Sequence, residues 1–594
     1  MKTYKWFIVA CLILVGASCK KYLDIKPLDS LSPVSFYSTE SELDFALTGV
    51  YGMLRNIYNN TRFKFYGLCA DEGYATENTA VAPMAFNAPA SHNNFNDEWN
   101  ILYRAVYRAN ALLENLDRNP ALNPARVSQI KGEALFLRGY FYLLLVQHWG
   151  GVPLILEPAS SPFDILVPRS SVQEVYQQII SDLETAEPLV PSITSLGFGG
   201  RASKSAVRGM LARVNLHMAG YPLNDKSRLA EVSKWAKMVM DDPEAQHALN
   251  PSYSQVFINY AQDKYDIKES IFEVEFYGQV GVGNMQGYIG AAMGPNGVFG
   301  ATKTLFDSYR PGDLRRDWSI ANFRYVNANV PSAGKTWIPV ATLANLWARR
   351  PGKFRREYEN DPQGSTTSQN FPILRYSDVL LMYAEAENEL DRPQNAIDAV
   401  NQVRRRAQSS GIKSIEITSG GSGYTTPPTV VFHGGGGKDA VGSAILNALT
   451  GEIAGVQFEL DPVTGFKSGN SYSSEPTIEF VGGDGTGASA VAEIFTLSEA
   501  DLTAEETSSK ESLRNAILQE RTHELGFELL RRFDLNRHQL FVEKMQDVAA
   551  QIAIDVPTAE FLRKFVNVSE RDALWPIPQN EITLNPLVTQ NPGF

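Results

Sequence analysis

The sequence predicts a mainly α protein interrupted by one β-rich module, and three observations carry that reading. Apolar residues recur at helical spacing through most of the chain. Two such segments are joined by only a few residues, which forces an antiparallel helical hairpin. Between about residues 409 and 498 helical spacing stops, and an internal repeat rich in Gly, Ser, Thr and β-branched residues replaces it.

The helices come first. Over 100–118, Leu102, Val106, Ala109, Leu112, Leu113 and Leu116 fall on one stripe. Over 128–149 a denser helix runs from Ile130 through Leu137, Phe141 and Leu145 to Trp149, and Gly150-Gly151 with Pro153 stops it. Over 203–219 the stripe is Val207, Leu211, Val214 and Met218. The hairpin pairs a helix capped by Ser377 and Asp378 (Val379, Met382, Tyr383, Ala386, Leu390) with one starting at Pro393 (Ile397, Val400, Val403, Ala407). A late helix is expected from about Leu513 to Leu535. Its charges, Glu520, Arg521, Glu524, Glu528, Arg531, Arg532 and Asp534, lie beside Leu525, Phe527, Leu530 and Phe533, which points to ion pairs at a packing face.

In the β module, Gly421 to Phe432 recurs as Gly469 to Phe480, with Tyr, Pro, Thr and Phe all shifted by 48. Each copy then enters a glycine-rich turn, Gly434–Gly437 or Gly482–Gly487. Tyr424 and Tyr472 hold equivalent positions; they serve as sugar platforms or, more plainly, each packs on its own turn. Two long irregular stretches, roughly 59–98 and 280–370, are rich in Gly, Asn, Pro and aromatics, and loops of that length tend to be functional.

The N-terminus has Lys2, Lys5, an apolar run from Trp6 to Val15, and then Gly16, Ala17, Ser18 and Cys19. This is the pattern of a secretory signal, too short for a membrane span of roughly 20 residues. Small residues directly before a cysteine suggest a bacterial lipoprotein signal over 1–18 with lipidation of Cys19, although Gly16 stands where leucine is usual. The net charge of −12 becomes −14 once Lys2 and Lys5 are removed, which argues against a nucleic-acid partner. With Cys11 in the signal and Cys19 lipidated, Cys69 has no disulfide partner.

Residues for bond-breaking chemistry are not assembled. The seven histidines are scattered without a metal-ligand spacing, and no nucleophile elbow appears. Gly434–Lys438 fails as a phosphate loop, because Phe432 and Asp439 occupy required positions. The second glycine run carries Gly487 where a calcium-binding repeat needs Asp. Asp71-Glu72 is a carboxylate pair, but neighbours in sequence usually point apart, so a solvated or helix-capping pair is expected rather than a glycosidase pair. No enzyme, catalytic residue, metal or cofactor is predicted.

Several blocks in order resemble the SusD/RagB family of outer-membrane nutrient-binding lipoproteins. They are Ala134–Tyr142 with Trp149–Leu154, Arg201–Val207 with Leu211–Arg213, Gly312–Arg316, Arg375–Ala386, Glu520–Leu535, and Trp575–Pro578 with Gln590–Phe594. Leu529 stands where the family usually has Gly, and Arg532 where it usually has an aromatic residue. The resemblance divides the chain into the signal (1–18), a first helical part carrying the ligand loops (19–408), the inserted β module (409–498) and a second helical part (499–594). It implies four tetratricopeptide-like helix pairs and a lipid anchor on the outer face of the outer membrane. It also implies a SusC-type TonB-dependent transporter as partner and an oligosaccharide ligand, with a peptide ligand or an adhesive role for the β repeats as alternatives.

A sugar needs a flat aromatic face and polar side chains for its hydroxyl rim. In the first loop the candidates are Asp71, Tyr74, Phe86, Asn93 and Asn94. In the second they are Asn284, Tyr288, Phe299, Trp318, Tyr325 and Trp337. Tyr74, Tyr288 and Trp318 are the expected platform.

Overall fold

The computed structural model describes residues 36–58, 70–75, 83–158, 166–276, 294–338, 346–360, 362, 366–461 and 465–594. Cys19, Asn284 and Tyr288 lie outside them.

Helices build the frame. They are α1 (Glu40–Ile57), α2 (Asn93–Glu114), α3 (Pro124–Trp149), α4 (Val172–Ala186), α5 (Lys204–Ala219), α6 (Arg228–Met240), α7 (Tyr376–Glu389) and α8 (Pro393–Ala407). They pack as four pairs, α1–α2, α3–α4, α5–α6 and α7–α8, and each pair touches the next. That is how stacked hairpins extend a shared core. Local sequence sets the ends. Thr39 with Glu42, and Ser171 with Glu174, form capping boxes. Pro124 opens α3, and Gly150, at φ 73°, ends it. Central α3 is buried on nearly every side, which explains its dense apolar run.

Several helix ends differ from expectation. α2 starts at Asn93, before the expected apolar stripe, because the His92 ring accepts the Asn94 N–H and buried Phe95 and Trp99 extend the apolar face backwards. Ser377 and Asp378 do not cap α7. They lie inside its first turn, and the Asp378 carboxylate is taken by Arg213 at 2.6 Å and Arg521 at 2.7 Å. The single late helix is two, α9 (Lys510–Leu525) and α10 (Arg531–Arg537), followed by α11 (Phe541–Asp555). Phe527 and Leu529 between them sit at φ 64° and 66°, which no right-handed helix passes through. The left-handed backbone at Leu529 also gives a physical reason for a glycine preference there.

The two long irregular stretches meet. Strand β1 (Gly73–Ala75) from the first pairs antiparallel with β2 (Phe299–Ala301) from the second. A small hairpin, β3 (Phe323–Tyr325) with β4 (Lys335–Trp337), extends the same lobe.

The β module is a six-stranded antiparallel sheet of β5 (Ile412–Ser422), β6 (Thr429–His433), β7 (Gly442–Leu446), β8 (Ile453–Phe458), β9 (Thr477–Val481) and β10 (Thr486–Ile494). Their order in the sheet is β8-β7-β6-β9-β10-β5, and the two edge strands approach each other. The central pair has a symmetric register: Thr429 faces Val481 and His433 faces Thr477, equivalent positions exchanged. Tyr424 and Tyr472 are buried, so neither presents a platform to solvent. Nor does either pack on its own turn. Tyr424 lies over Gly483 and Gly485 of the second copy, and Tyr472 over Gly435 and Gly437 of the first. The flanking hydrogen bonds repeat this exchange: the Thr425 N–H donates to the Gly483 carbonyl at 3.0 Å and the Ser473 N–H to the Gly435 carbonyl at 2.8 Å.

A Cβ on Gly437 or Gly485 would be driven into the facing tyrosine ring. Gly437→Ala and Gly485→Ala are each expected to destabilise the module by about 1–3 kcal/mol. Protection of β6 and β9 amides against hydrogen exchange should fall equally in both variants, while α3 and α5 amides stay unchanged.

Candidate ligand-binding site

Buried charge fixes the lobe to the frame. Glu524 of α9 accepts from Arg375 at 2.9 Å and Arg315 at 3.2 Å, and it also pairs with Arg406. Glu528 accepts from Arg375 at 2.7 Å and from Lys353 of the second loop at 2.8 Å. Burial alone would raise the Glu524 carboxyl, but Arg406, Arg375 and Arg315 hold it far below the usual range. Burial pulls the Lys353 ammonium down to about 8 despite Glu528. The ion pairs expected from the late-helix charges are therefore present, and their partners come from distant segments.

The first loop is clamped at Asp71-Glu72. Asp71 receives two hydrogen bonds from Arg531, at 2.8 and 2.7 Å, and Arg531 holds its carboxyl down against burial. Glu72 is 2% exposed and accepts the Phe527 N–H at 3.1 Å. Burial pushes it up to about 7. The Glu72 and Asp71 carbonyls accept from the Thr302 N–H and hydroxyl at 3.1 and 2.9 Å, which ties the first loop to the second. The pair is neither solvated nor a helix cap, contrary to expectation. It staples the loops to the α9–α10 turn. Beside it opens a cleft of about 590 Å³, lined by Asp71, Glu72, Ser308, Gln519 and Arg531, with Lys544 and Asp547 of α11 among its other walls.

Most of the expected platform is core. Tyr74 is 1% exposed, stacks on Phe561 at 3.9 Å and donates its hydroxyl to the Trp347 carbonyl. Trp318 is buried under the Arg355 guanidinium, 4.0 Å from its ring. Phe86 packs edge-on against Phe541, and Phe299 is buried in β2. Tyr325 is buried with its hydroxyl on Glu357. These rings offer no face to a sugar: Tyr74 and Phe86 are covered by Phe561 and Phe541 of the C-terminal segment, and Trp318 and Tyr325 are covered from within the second loop. Trp337 is half-buried on Phe323, 5.4 Å away. Asn93 is exposed and Asn94 half-buried at the start of α2. Asp71 is half-buried and lines the cleft. The polar cleft residues of α9 and α11 were missed, since alone they read as ordinary solvent-facing helix positions.

Two family models match the chain. One, SusD-like and described as starch-binding associating with outer membrane, covers residues 21–216; the other, the SusD family, covers 268–426 and 495–594. The chain belongs to the SusD/RagB family. The second match passes over 427–494, most of the β module. A SusD-like protein of Formosa agariphila is 26% identical over 461 residues, 68% of this chain and 82% of its own. A crystal structure of a SusD homolog from Bacteroides thetaiotaomicron superposes with a TM-score of 0.72 at 22% identity, covering 95% and 98% of the two chains. A laminarin-binding SusD-like protein gives 0.59 at 20% identity, covering 94% and 100%. The family is associated with the outer membrane. Among the described residues, no helix is long and apolar enough to cross a membrane, and no group of three or more His, Cys, Asp or Glu is placed to hold a metal ion.

Arg532 replaces the usual aromatic without loosening the packing. Its guanidinium lies 5.4 Å from the Phe541 ring and 5.5 Å from the Trp575 ring, and it donates to the Asp572 carbonyl at 2.6 Å.

Folded Glu72 keeps its proton to about pH 7, whereas an unfolded glutamate ionises near 4.5. The native state thus holds more protons between those values, and this group's contribution to stability falls as pH rises through that window. Glu72→Gln keeps an acceptor for the Phe527 N–H and removes the titration. Its stability relative to the parent is expected to rise by up to about 3 kcal/mol between pH 4.5 and 7. Urea unfolding at both pH values measures this, and a pH-independent difference counts against the assignment.

Proposed function

We propose that this protein captures an oligosaccharide at the cell surface and hands it to a SusC-type TonB-dependent transporter. In this reading it is tethered to the outer face of the outer membrane by lipid on Cys19. The observation that carries the reading is the joining of the two long loops into one lobe on a helical frame that a laminarin-binding protein shares. Capture without bond breaking suits the Asp71–Glu72 pair. The Asp71 carboxylate is taken up by Arg531, and Glu72 accepts a backbone N–H, so in this reading the pair serves as a clamp on the loops. For the partner, Phe45 and Tyr107 project from the adjacent helices α1 and α2, 69% and 57% exposed, as apolar contacts for a docking surface. Of the described aromatic candidates, Trp337 is the one left partly exposed, and it is the ring proposed to meet a sugar.

The test is titration calorimetry of residues 20–594 against a panel of oligosaccharides. Micromolar binding to at least one glycan is expected, weakened roughly tenfold by Trp337→Ala, a loss of about 1.4 kcal/mol. Peptide binding with no glycan binding would overturn the ligand class.

A further inference from the structure

Among the described residues, most buried arginines meet a carboxylate or a carbonyl. Arg315, Arg375, Arg404, Arg406, Arg521 and Arg537 all have ion-pair partners. The loop lobe breaks this rule. Among the described residues, half-buried Arg350 has no side-chain hydrogen-bond or ion-pair partner, although its Nε is buried.

Arg324, on β3, spends one donor on the Ala348 carbonyl at 3.2 Å, two residues from Arg350. Arg349 is 2% exposed, and its guanidinium lies 3.9 Å from the Phe306 ring; its Nε and one terminal nitrogen are likewise unpartnered. Burial, together with the neighbouring Arg324, pushes Arg350 down to about 10, as expected for adjacent cations that lack an anion.

The sequence of the two loops offers little to supply the missing charge. Asp71, Asp307, Asp313, Asp317, Glu357 and Glu359 are each ion-paired with another cation. Residues 59–69, 277–293 and 339–345 contain no Asp or Glu, and the loop sequence outside the described residues adds Glu77 and Asp361. An unpaired guanidinium is costly to bury, and its planar fork fits a carboxylate or sulfate through two parallel hydrogen bonds.

We propose that Arg324 and Arg350 bind an acidic group of the glycan, a uronate carboxylate or a sulfate ester, with Arg349 adding positive potential from the adjacent position. The ligand class is then an anionic oligosaccharide. This rests on the glycan-capture reading and narrows it.

The experiment is calorimetry of residues 20–594 with oligogalacturonate, its carboxyl-reduced counterpart and a sulfated β-glucan oligosaccharide beside the unsulfated one. At least one acidic probe should bind tenfold or more tighter than its neutral counterpart, with affinity falling as salt rises. Which acidic probe does so tells carboxylate from sulfate. The double variant Arg324→Gln/Arg350→Gln should lose at least tenfold in acidic binding and keep any neutral binding, with its thermal unfolding recorded to confirm the fold. If the double variant does not fold, Arg350→Lys, which keeps the charge but not the fork, should lose severalfold. Equal binding of acidic and neutral probes, or undiminished acidic binding in a folded variant, overturns the proposal and leaves glycan capture standing. Failure of every glycan to bind overturns both.

Discussion

The interaction on which the rest of the structure depends is the buried cluster around Glu524, Arg375 and Glu528. Arg375 ends a strand, Arg406 lies on α8, Arg315 and Lys353 belong to the second loop, and the glutamates lie on and after α9. Such a cluster is not simply a sum of favourable pairs. Each charge is buried at a desolvation cost that only the other members offset, so removing one strands its partners. What the cluster supplies is register. Segments more than 150 residues apart are held to one another at hydrogen-bond distance.

The loops inherit that register. The Asp71-Glu72 turn ties the first loop to the α9–α10 turn, and its carbonyls tie it to the second loop through Thr302. That turn exists because α9 stops where Phe527 and Leu529 adopt left-handed backbone. The bend in the last helices and the placement of the loop lobe are thus one structural decision. Divergence at the surface of the lobe can proceed without disturbing the frame, because the attachment is made by a few buried polar groups.

Helical periodicity made the frame legible: α3, α5 and α8 lie where their apolar stripes placed them. Ends were less legible where side chains from elsewhere decide them, as Arg213 and Arg521 do by claiming Asp378. The charged late segment was readable as an ion-pair face, but not as two helices, because nothing local marks Phe527 for a positive φ. The aromatic candidates show the limit most clearly. Tyr74 and Trp318 sit in glycine-rich, polar surroundings that read as surface, and only the approach of Phe561 and Arg355 makes them core. Asp71 was readable as a residue of consequence, yet its role as a clamp depends on Arg531, which lies 460 positions away.

The β module carries a record of its own. Its repeat was visible as a shift of 48, while the exchange of tyrosine seats was not, since each seat belongs to the other copy. The central β6–β9 pairing joins equivalent segments to each other in antiparallel register. That is the contact a two-fold dimer makes with itself. A single copy would present β6 as a bare edge and leave its tyrosine without a seat, so the half-unit is complete only in twos. Fusing two copies turns a concentration-dependent association into a property of one chain. Because Ile412 and Ile494 end as ladder neighbours, the fused pair enters and leaves the frame at one point. To the helices around it, a whole folded module has the geometry of a hairpin turn.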